Sequence, residues 1–207
     1  YGCTNTRSSR VLWVLEEAGA EYEYVAIDLR AGAGWKPEYL ALNPGGKVPT
    51  LVDGEMVLTE SAAICTYVGD RFPASRLAPP VGSLERAHYD QWCYFAMSEL
   101  EQPLWTLAKH TFALPERLRV PAILDTARWE FSVAAKVLAV GLGRREFIAG
   151  DHFTAADILI AHTLAWARAF KLPLEHEHLA AYAERLLARP AWARSRERER
   201  AESGSKP

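Results

Sequence analysis

The clearest candidate binding element is the segment Thr59-Glu60-Ser61, because Ser61 opens a stretch, Ser61 to Arg71, that is predicted to be helical. The first amides of a helix have no partner within the helix and carry positive potential, which suits a carboxylate. The Ser61 hydroxyl can add a hydrogen bond to the same carboxylate. The alternative is that Ser61 only caps its own helix, since serine is a favoured capping residue.

A second group of polar side chains lies in the loop Cys3-Thr4-Asn5-Thr6-Arg7-Ser8-Ser9, directly before the first predicted helix. Its hydroxyl and amide groups can donate hydrogen bonds to a ligand. They can equally cap the helix that follows, and both interpretations stay open on the residues alone.

The cysteine and histidine residues do not have the spacing of a dithiol redox site or a metal site. Cys3, Cys65 and Cys93 are an odd number, lie far apart and include no pair at two-residue spacing, which predicts free thiols in a reducing cytoplasm. The segment Glu175-His176-Glu177-His178 contains metal-ligand types, but no further cluster completes a ligand set. We therefore expect no metal and a surface segment at a helix start.

The elements that must position these groups begin with an amphipathic helix over Arg10 to Ala18, which Gly19 ends. Tyr22 to Leu29 is rich in β-branched and aromatic residues and is predicted to be a strand. A strand after a helix suggests a βαβ unit, whose first strand would end at Tyr1. Because the chain starts there without methionine, we expect a trimmed start.

Two short strands, Val48 to Val52 and Met56 to Leu58, are joined at Asp53-Gly54, a strong hairpin signal, and the helix from Ser61 completes a ββα unit. We expect an α/β domain over residues 1–73, a linker over 74–83 that contains Pro79, Pro80 and Gly82, and an all-α domain over 84–207. The helical periodicity falls at 84–110, 121–140, 154–170 and 178–189. The Arg/Glu-rich end, 194–202, is expected to be a solvated, fraying helix.

Composition narrows the possible partners. The 207 residues are 49% hydrophobic, enough for a sizeable core, and 24 Lys and Arg against 26 Asp and Glu give a net charge of -2. This balance predicts neither nucleic acid nor an anionic membrane as partner. No apolar run approaches the ~18 residues that a membrane helix needs, and no signal peptide is present, so we expect a cytoplasmic protein.

This order of elements resembles that of the cytosolic glutathione transferases, in which a thioredoxin-like βαβ-ββα domain precedes an all-helical domain. Three motifs carry the resemblance over nearly the whole chain. They are Asn43-Pro44-Gly45-Gly46-Lys47-Val48-Pro49-Thr50-Leu51, then Thr59-Glu60-Ser61-Ala62-Ala63-Ile64, and finally Phe147-Ile148-Ala149-Gly150-Asp151 before a predicted capping box of Thr154 and Asp157.

The resemblance implies a role for each part of the glutathione site. Ser61 and Glu60 would bind the γ-glutamyl end of glutathione, its carboxylate and ammonium. At Val48-Pro49, a cis-proline would leave the preceding main chain open to pair, strand-like, with the cysteinyl unit. Lys47, and more loosely Lys36 beside Trp35, are candidates for the glycine carboxylate.

Members of the family activate the glutathione thiol with a side chain just before the first helix. Counting back from Arg10, which is similar to the basic residue that opens this helix in serine-type members, the activating position falls on Asn5 or Thr6. Thr6 is the first candidate, Asn5 the second and Ser8 the third.

The implied activity is transfer of glutathione, as co-substrate, to small hydrophobic electrophiles, a detoxification reaction of a cytoplasmic homodimer. Two alternatives remain open. The first is a non-catalytic glutathione transferase-like module that serves binding or regulation. The second is a glutathione-dependent isomerase, peroxidase or dehalogenase.

Overall fold

The computed structural model describes residues 1–202, which form two compact units. The first unit contains Tyr1–Ala78 and the chain from Ala188 onwards, and the second contains Pro79–Leu187. The last helix belongs to the first unit, whereas the boundaries expected from the sequence place it in the all-α domain over 84–207. The reason is that this helix packs against the first helix of the chain.

Main-chain hydrogen bonds of residues 1–2 join the segment around Ala26 to the hairpin that begins at Thr50. The Gly2 N–H donates to Val25 O at 3.0 Å, and Gly2 O accepts from the Ile27 N–H at 2.7 Å, which makes a parallel bridge. On the other side, Tyr1 O accepts from the Thr50 N–H at 3.1 Å. The main chain at 1–2 is thus the central element between a parallel and an antiparallel neighbour, as a βαβ-ββα unit requires.

The antiparallel hairpin is formed by β1 (Thr50–Asp53) and β2 (Met56–Thr59), in the register Thr50 opposite Thr59. The strand predicted over Tyr22–Leu29 is reduced to the single bridge residue Ala26. The physical reason is that only Gly2 offers ladder bonds to this segment within the described chain.

Two helices cover this sheet, α1 (Ser8–Ala18) and α3 (Ser61–Arg71), while the short α2 (Pro37–Leu40) lies in the connection between them. Trp13 of α1 and Ile64 of α3 are completely buried. Burial of side chains of this size stabilises the fold by about 1.5–3 kcal/mol each. α1 therefore holds the loop before it in a fixed position, and α3 does the same for the residues at its own start.

The second unit is all-helical in the described residues. Its main helices are α4 (Leu84–Phe95), α5 (Glu101–Ala108), α6 (Ile123–Leu142), α7 (Ala155–Ala169) and α8 (Glu177–Leu187). Short π-helical segments at Ala96–Leu100 and Lys109–Ala113 continue α4 and α5. These helices correspond to the four helical segments that the periodicity predicted.

The predicted capping box at the start of α7 is present and has further partners. The Asp157 carboxylate accepts hydrogen bonds from the Thr154 N–H and the Ile148 N–H, both at 2.8 Å, and from the Tyr182 hydroxyl at 2.6 Å. Asp157 is completely buried, and burial raises the pKa of its carboxyl group. One carboxylate therefore joins a loop, the start of α7 and α8.

The last helix, α9 (Pro190–Glu202), packs along α1. The rings of Trp192 and Trp13 lie 4.9 Å apart. At the start of α9, the Arg189 guanidinium donates two bonds to the Glu17 carboxylate, at 2.6 and 2.8 Å.

The expectation of a solvated, fraying end over 194–202 is therefore wrong. Arg194 binds the Glu16 carboxylate at 2.8 Å, while Ser195 and Glu199 are buried to 1% and 0% exposure. Arg194, Arg196 and Glu199 bind specific partners on α1 and its preceding loop, which charge patterning alone does not reveal.

No helix among residues 1–202 is both long enough and apolar enough to cross a membrane. The same residues contain no group of three or more His, Cys, Asp or Glu placed to hold a metal ion. His178 instead contacts the carbonyl oxygen of Ala139 at 3.1 Å.

Candidate glutathione site

The start of α3 has the features of an anion site. Ser61 is its first residue and is only 2% exposed, and no described side chain caps the helix. The first amides of α3 are therefore available to a ligand. Capping of its own helix, the alternative interpretation of Ser61, is not what its hydroxyl does.

Glu60, immediately before α3, has a φ of 68° and a ψ of 111°, and its side chain is exposed. A positive φ costs a residue with a Cβ of the order of 1 kcal/mol or more. Such strain persists where the surrounding structure enforces it, commonly at ligand sites. This conformation brings an exposed carboxylate to the end of an uncapped helix.

Arg10, in the first turn of α1, connects this helix to α3. Its guanidinium is completely buried, and its Nη1 donates to Ser61 Oγ at 3.3 Å. A buried guanidinium needs compensating partners, and Ser61 is one of them. The hydroxyl that could bind a carboxylate is therefore fixed from the first turn of α1.

The second candidate segment, Lys47-Val48-Pro49, is held by two side-chain hydrogen bonds to its main chain. Lys47 O accepts from the Tyr39 hydroxyl at 2.6 Å and from Asn43 Nδ2 at 2.7 Å. The Val48-Pro49 peptide bond is cis, the geometry that the resemblance implied.

Val48 offers an open main chain. Neither its N–H nor its C=O has a hydrogen-bond partner among residues 1–202, although Pro49 and Thr50 beside it are buried. A ligand can pair with these groups as a short strand. The Lys47 side chain is exposed and makes no ion pair within the described part of the chain.

A close backbone contact brings Trp35 beside this segment. Gly46 has a φ of 61°, and a Cβ at this position would lie 3.0 Å from Gly34 O and 3.1 Å from the Trp35 ring. A side chain at this position would be strained by the left-handed backbone and crowded by both contacts, which favours glycine. Trp35 is 69% exposed and is followed by Lys36, so the structure brings this second basic residue to the neighbourhood of the Lys47 loop.

The three candidates for thiol activation differ in what their side chains already contact. The Thr6 hydroxyl donates to Cys3 O at 2.7 Å and lies 2.9 Å from Ser8 Oγ. Ser8 is completely buried, and its hydroxyl accepts from the Cys3 N–H at 3.2 Å. Both hydroxyls therefore bond within the turn that leads into α1, of which Ser8 is the first residue.

Asn5 differs from both. It is exposed, has a φ of 58°, and its Oδ1 accepts from Arg196 Nη2 of α9 at 2.7 Å. No residue in the range 1–202 accepts a hydrogen bond from its Nδ2.

Sequence reasoning missed the residues that support the site. Tyr39 and Asn43 hold the Lys47 main chain, and Arg196 binds Asn5. Asn43 lies within a motif that the analysis used, whereas nothing in the local sequence around Arg196 indicates its partner.

A cavity of about 440 Å³ in the first unit is lined by parts of α1, α3, the hairpin and residues 20–25. Of the candidate residues, only Ser8 and Pro49 line it. The site is therefore defined by its open polar groups and not by this cavity.

A βαβ-ββα domain and a helical unit define the two-domain class that the resemblance implies, a thioredoxin-like fold with an all-helical part. Comparison with known proteins agrees. Residues 1–70 match the family model described as glutathione S-transferase, N-terminal domain, and residues 106–190 match the glutathione S-transferase, C-terminal domain. The chain belongs to the glutathione S-transferase family.

Individual relatives span nearly the whole chain. Glutathione S-transferase GstA of Escherichia coli O157:H7 is 33% identical over 181 residues, which cover 85% of this chain and 86% of that protein. The probable glutathione S-transferase GSTF2 of Oryza sativa subsp. japonica is 34% identical over 200 residues, 92% of each. A sphingomonad glutathione S-transferase complexed with glutathione has a TM-score of 0.84 at 30% identity, with 96% of each chain covered.

Proposed function

We propose that this glutathione transferase binds glutathione along its first unit and transfers the thiolate to small hydrophobic electrophiles. The observation that carries the proposal is the uncapped start of α3, where free helix amides accompany the buried Ser61 hydroxyl, which accepts from Arg10 in the first turn of α1, directly after the candidate loop. A carboxylate-bearing ligand that also needs a donor for its sulfur fits this combination.

The γ-glutamyl end of glutathione binds at α3 in this proposal. Its carboxylate accepts from the first amides of α3 and from Ser61, and its ammonium pairs with Glu60. Hydrogen bonds to a charged group contribute about 1.5–3 kcal/mol each, more than bonds between neutral groups. The strained conformation of Glu60 supports this role, because it turns an acidic side chain to the end of the helix.

The rest of the tripeptide follows the Lys47-Val48-Pro49 loop. The unpaired N–H and C=O of Val48 bind the cysteinyl unit, and Pro49 lies buried behind them. The unpaired Lys47 ammonium, with Lys36 near it, attracts the glycine carboxylate. This arrangement uses main chain for the middle of the ligand and charge at both of its ends.

One hydrogen-bond donor to the sulfur is enough to activate the glutathione thiol. A free thiol with a pKa near 8.5 is only about 3% ionised at neutral pH, and the thiolate is the nucleophile. Lowering that pKa by about 2 requires about 2.7 kcal/mol of preferential stabilisation, which one charge-assisted hydrogen bond can supply. Of Thr6, Asn5 and Ser8, Asn5 is favoured because its Nδ2 donor is exposed and unused.

The reaction then forms a bond between the glutathione sulfur and an electrophilic carbon, and the electron pair of the broken bond leaves with the displaced group or moves into the acceptor. The thiol proton is lost to solvent on ionisation. We further propose that the chain acts as a cytoplasmic homodimer in detoxification, with glutathione as co-substrate and no metal.

The direct test is retention on a glutathione matrix followed by turnover of a panel of small electrophiles, monitored by loss of glutathione. Retention with turnover supports the proposal. Retention without turnover of any panel member, together with an unshifted thiol pKa, favours a non-catalytic binding module instead.

A further inference from the structure

We propose that Arg196 and Glu199 of α9 are positioning residues that orient the Asn5 side chain, so that Asn5 Nδ2 donates to the glutathione thiolate. This inference rests on the proposed function. It assigns the C-terminal helix a part in thiol activation, although α9 lies about 190 residues from the loop along the chain.

The contact between Arg196 and Asn5 fixes which end of the amide faces outwards. A guanidinium has only donors, so the atom of the Asn5 amide that faces Arg196 Nη2 at 2.7 Å must be the oxygen, Oδ1. The Nδ2 group therefore points away from Arg196, with two N–H donors. Without Arg196, the amide of an exposed asparagine is free to rotate and to present its oxygen instead.

Arg196 is itself held in place by buried partners. Its Nη1 donates to Ser9 Oγ at 3.0 Å and pairs with the Glu199 carboxylate. Ser9 donates to Glu199 Oε1 at 2.9 Å. Glu199 and Ser9 are 0% and 1% exposed, and the Arg196 side chain is 18% exposed. A buried carboxylate with several donors leaves its arginine partner little freedom.

The same carboxylate holds the Asn5 main chain. The Asn5 N–H is bonded to Glu199, and the Asn5 φ is 58°. Asparagine adopts this left-handed conformation more readily than most residues, because its short side chain tolerates it. The pair on α9 therefore fixes both the backbone and the side chain of one loop residue.

The two hydroxyls of the loop are poorer donors for the thiolate. The Thr6 hydroxyl already donates to Cys3 O, and Ser8 is buried and bonded within the loop. Either would have to break an existing bond to reach the ligand. Asn5 would form a new bond without losing one.

The contacts of Arg196 and Glu199 also explain why α9 packs closely against α1 although it contains many charged residues. Arg196 lies over the Trp192 ring at 5.4 Å, while the neighbouring Arg194 pairs with Glu16, away from Asn5. Arg194 and Arg196 are thus two arginines of one helix with different partners. They provide a matched pair for mutagenesis.

The test compares Arg196→Met with Arg194→Met in the full chain. The ultraviolet absorbance of the thiolate is titrated in the saturated glutathione complex of each variant, and calorimetry gives the affinity for glutathione. We expect Arg196→Met to raise the pKa of the bound thiol by about 1, with affinity changed less than about threefold. Arg194→Met should leave the pKa unchanged, although both variants lose an ion pair.

Two variants of Asn5 complete the design. Asn5→Gly keeps the left-handed backbone and removes the donor, and Asn5→Asp keeps an acceptor for Arg196 but has no donor. Both should raise the thiol pKa at least as much as Arg196→Met. Arg196→Lys should restore part of the shift, because it keeps a donor for Oδ1. Arg196→Met also leaves the buried Glu199 carboxylate without its cation, so Asn5→Gly, which keeps the Arg196–Glu199 pair, separates orientation of the amide from loss of stability.

The outcomes distinguish this inference from the proposed function. If the wild-type complex titrates near the free thiol value, the proposed activation fails, and this inference fails with it. If wild type shows a lowered pKa that neither Arg196→Met nor Asn5→Gly raises, only this inference is overturned. A rise in Thr6→Ala but not in Asn5→Gly would likewise overturn it.

Discussion

Replacement of Ser61 by alanine should weaken glutathione binding by about 10- to 150-fold. The hydroxyl is buried at the uncapped start of α3, where a ligand carboxylate would accept its hydrogen bond. Loss of one hydrogen bond to a charged group costs about 1.5–3 kcal/mol, which corresponds to this range of dissociation constants. The side chain also accepts from Arg10, so the variant loses one further contact.

Isothermal calorimetry with glutathione measures this effect directly, and steady-state kinetics separate binding from chemistry. Because the γ-glutamyl end is remote from the sulfur, KM should rise much more than kcat falls. Ser83→Ala is the matched control. Ser83 also begins a helix and accepts from the Arg86 N–H at 3.1 Å, so its loss should cost about 1 kcal/mol of stability and leave glutathione affinity unchanged.

An unchanged dissociation constant in Ser61→Ala, with a folded protein by circular dichroism, would refute the assignment of the carboxylate to α3. An equal loss of affinity in Ser83→Ala would show that general destabilisation accounts for the effect. A large fall in kcat at constant KM would place Ser61 close to the sulfur instead.

Three other predictions test the fold, the thiols and the assembly. Asp157→Ala removes the acceptor of four buried donors and should lower the free energy of unfolding by at least about 3 kcal/mol, measured by urea denaturation. A loss below about 1 kcal/mol would contradict the network. Burial raises the pKa of the Cys65 thiol to about 12, so only ~10⁻⁴ of this thiol is ionised at pH 8. Iodoacetamide should therefore label the partly exposed Cys3 but not Cys65 of the native protein. Peptide mass spectrometry measures the labelling, and fast labelling of Cys65 would contradict the prediction. Sedimentation at micromolar concentration should give about twice the 23.1 kDa mass of one chain, and a single-chain mass would exclude the homodimer.

Those parts of the site that depend on short segments could be predicted from the sequence. The helix from Ser61 to Arg71 has the same limits in the structure, and the Val48-Pro49 bond is cis. Each depends on a few adjacent residues whose motif is recognisable without knowledge of the rest of the fold. The roles of these residues toward glutathione remain proposals.

The limits of prediction appear where a residue depends on a distant partner. The run of Arg and Glu around Arg196 has the pattern of a solvated helix face, but Glu199 is completely buried and accepts a hydrogen bond from Ser9 in the first turn of α1. The spacing of charges along a sequence indicates ion pairs within one helix, but it does not identify partners about 190 residues away. The choice among Thr6, Asn5 and Ser8 depends on these partners, so the sequence left it open.

The strand expected over Tyr22–Leu29 shows a different limit. Its composition favours β-structure, but a strand also needs a neighbour to bond with. In the described chain only Gly2 supplies such bonds, to Val25 and Ile27. The β-propensity therefore identified the right segment but overestimated how many of its residues form a strand.

Titration of the ultraviolet absorbance of the wild-type glutathione complex shows whether this chain binds glutathione as an activated thiolate. This measurement needs no knowledge of the electrophile. We expect a midpoint near pH 6.5, about 2 below the ordinary thiol value, because one donor to the thiolate supplies the required free energy. A midpoint near 8.5 in a saturated complex would contradict the account, since glutathione would then be bound without activation.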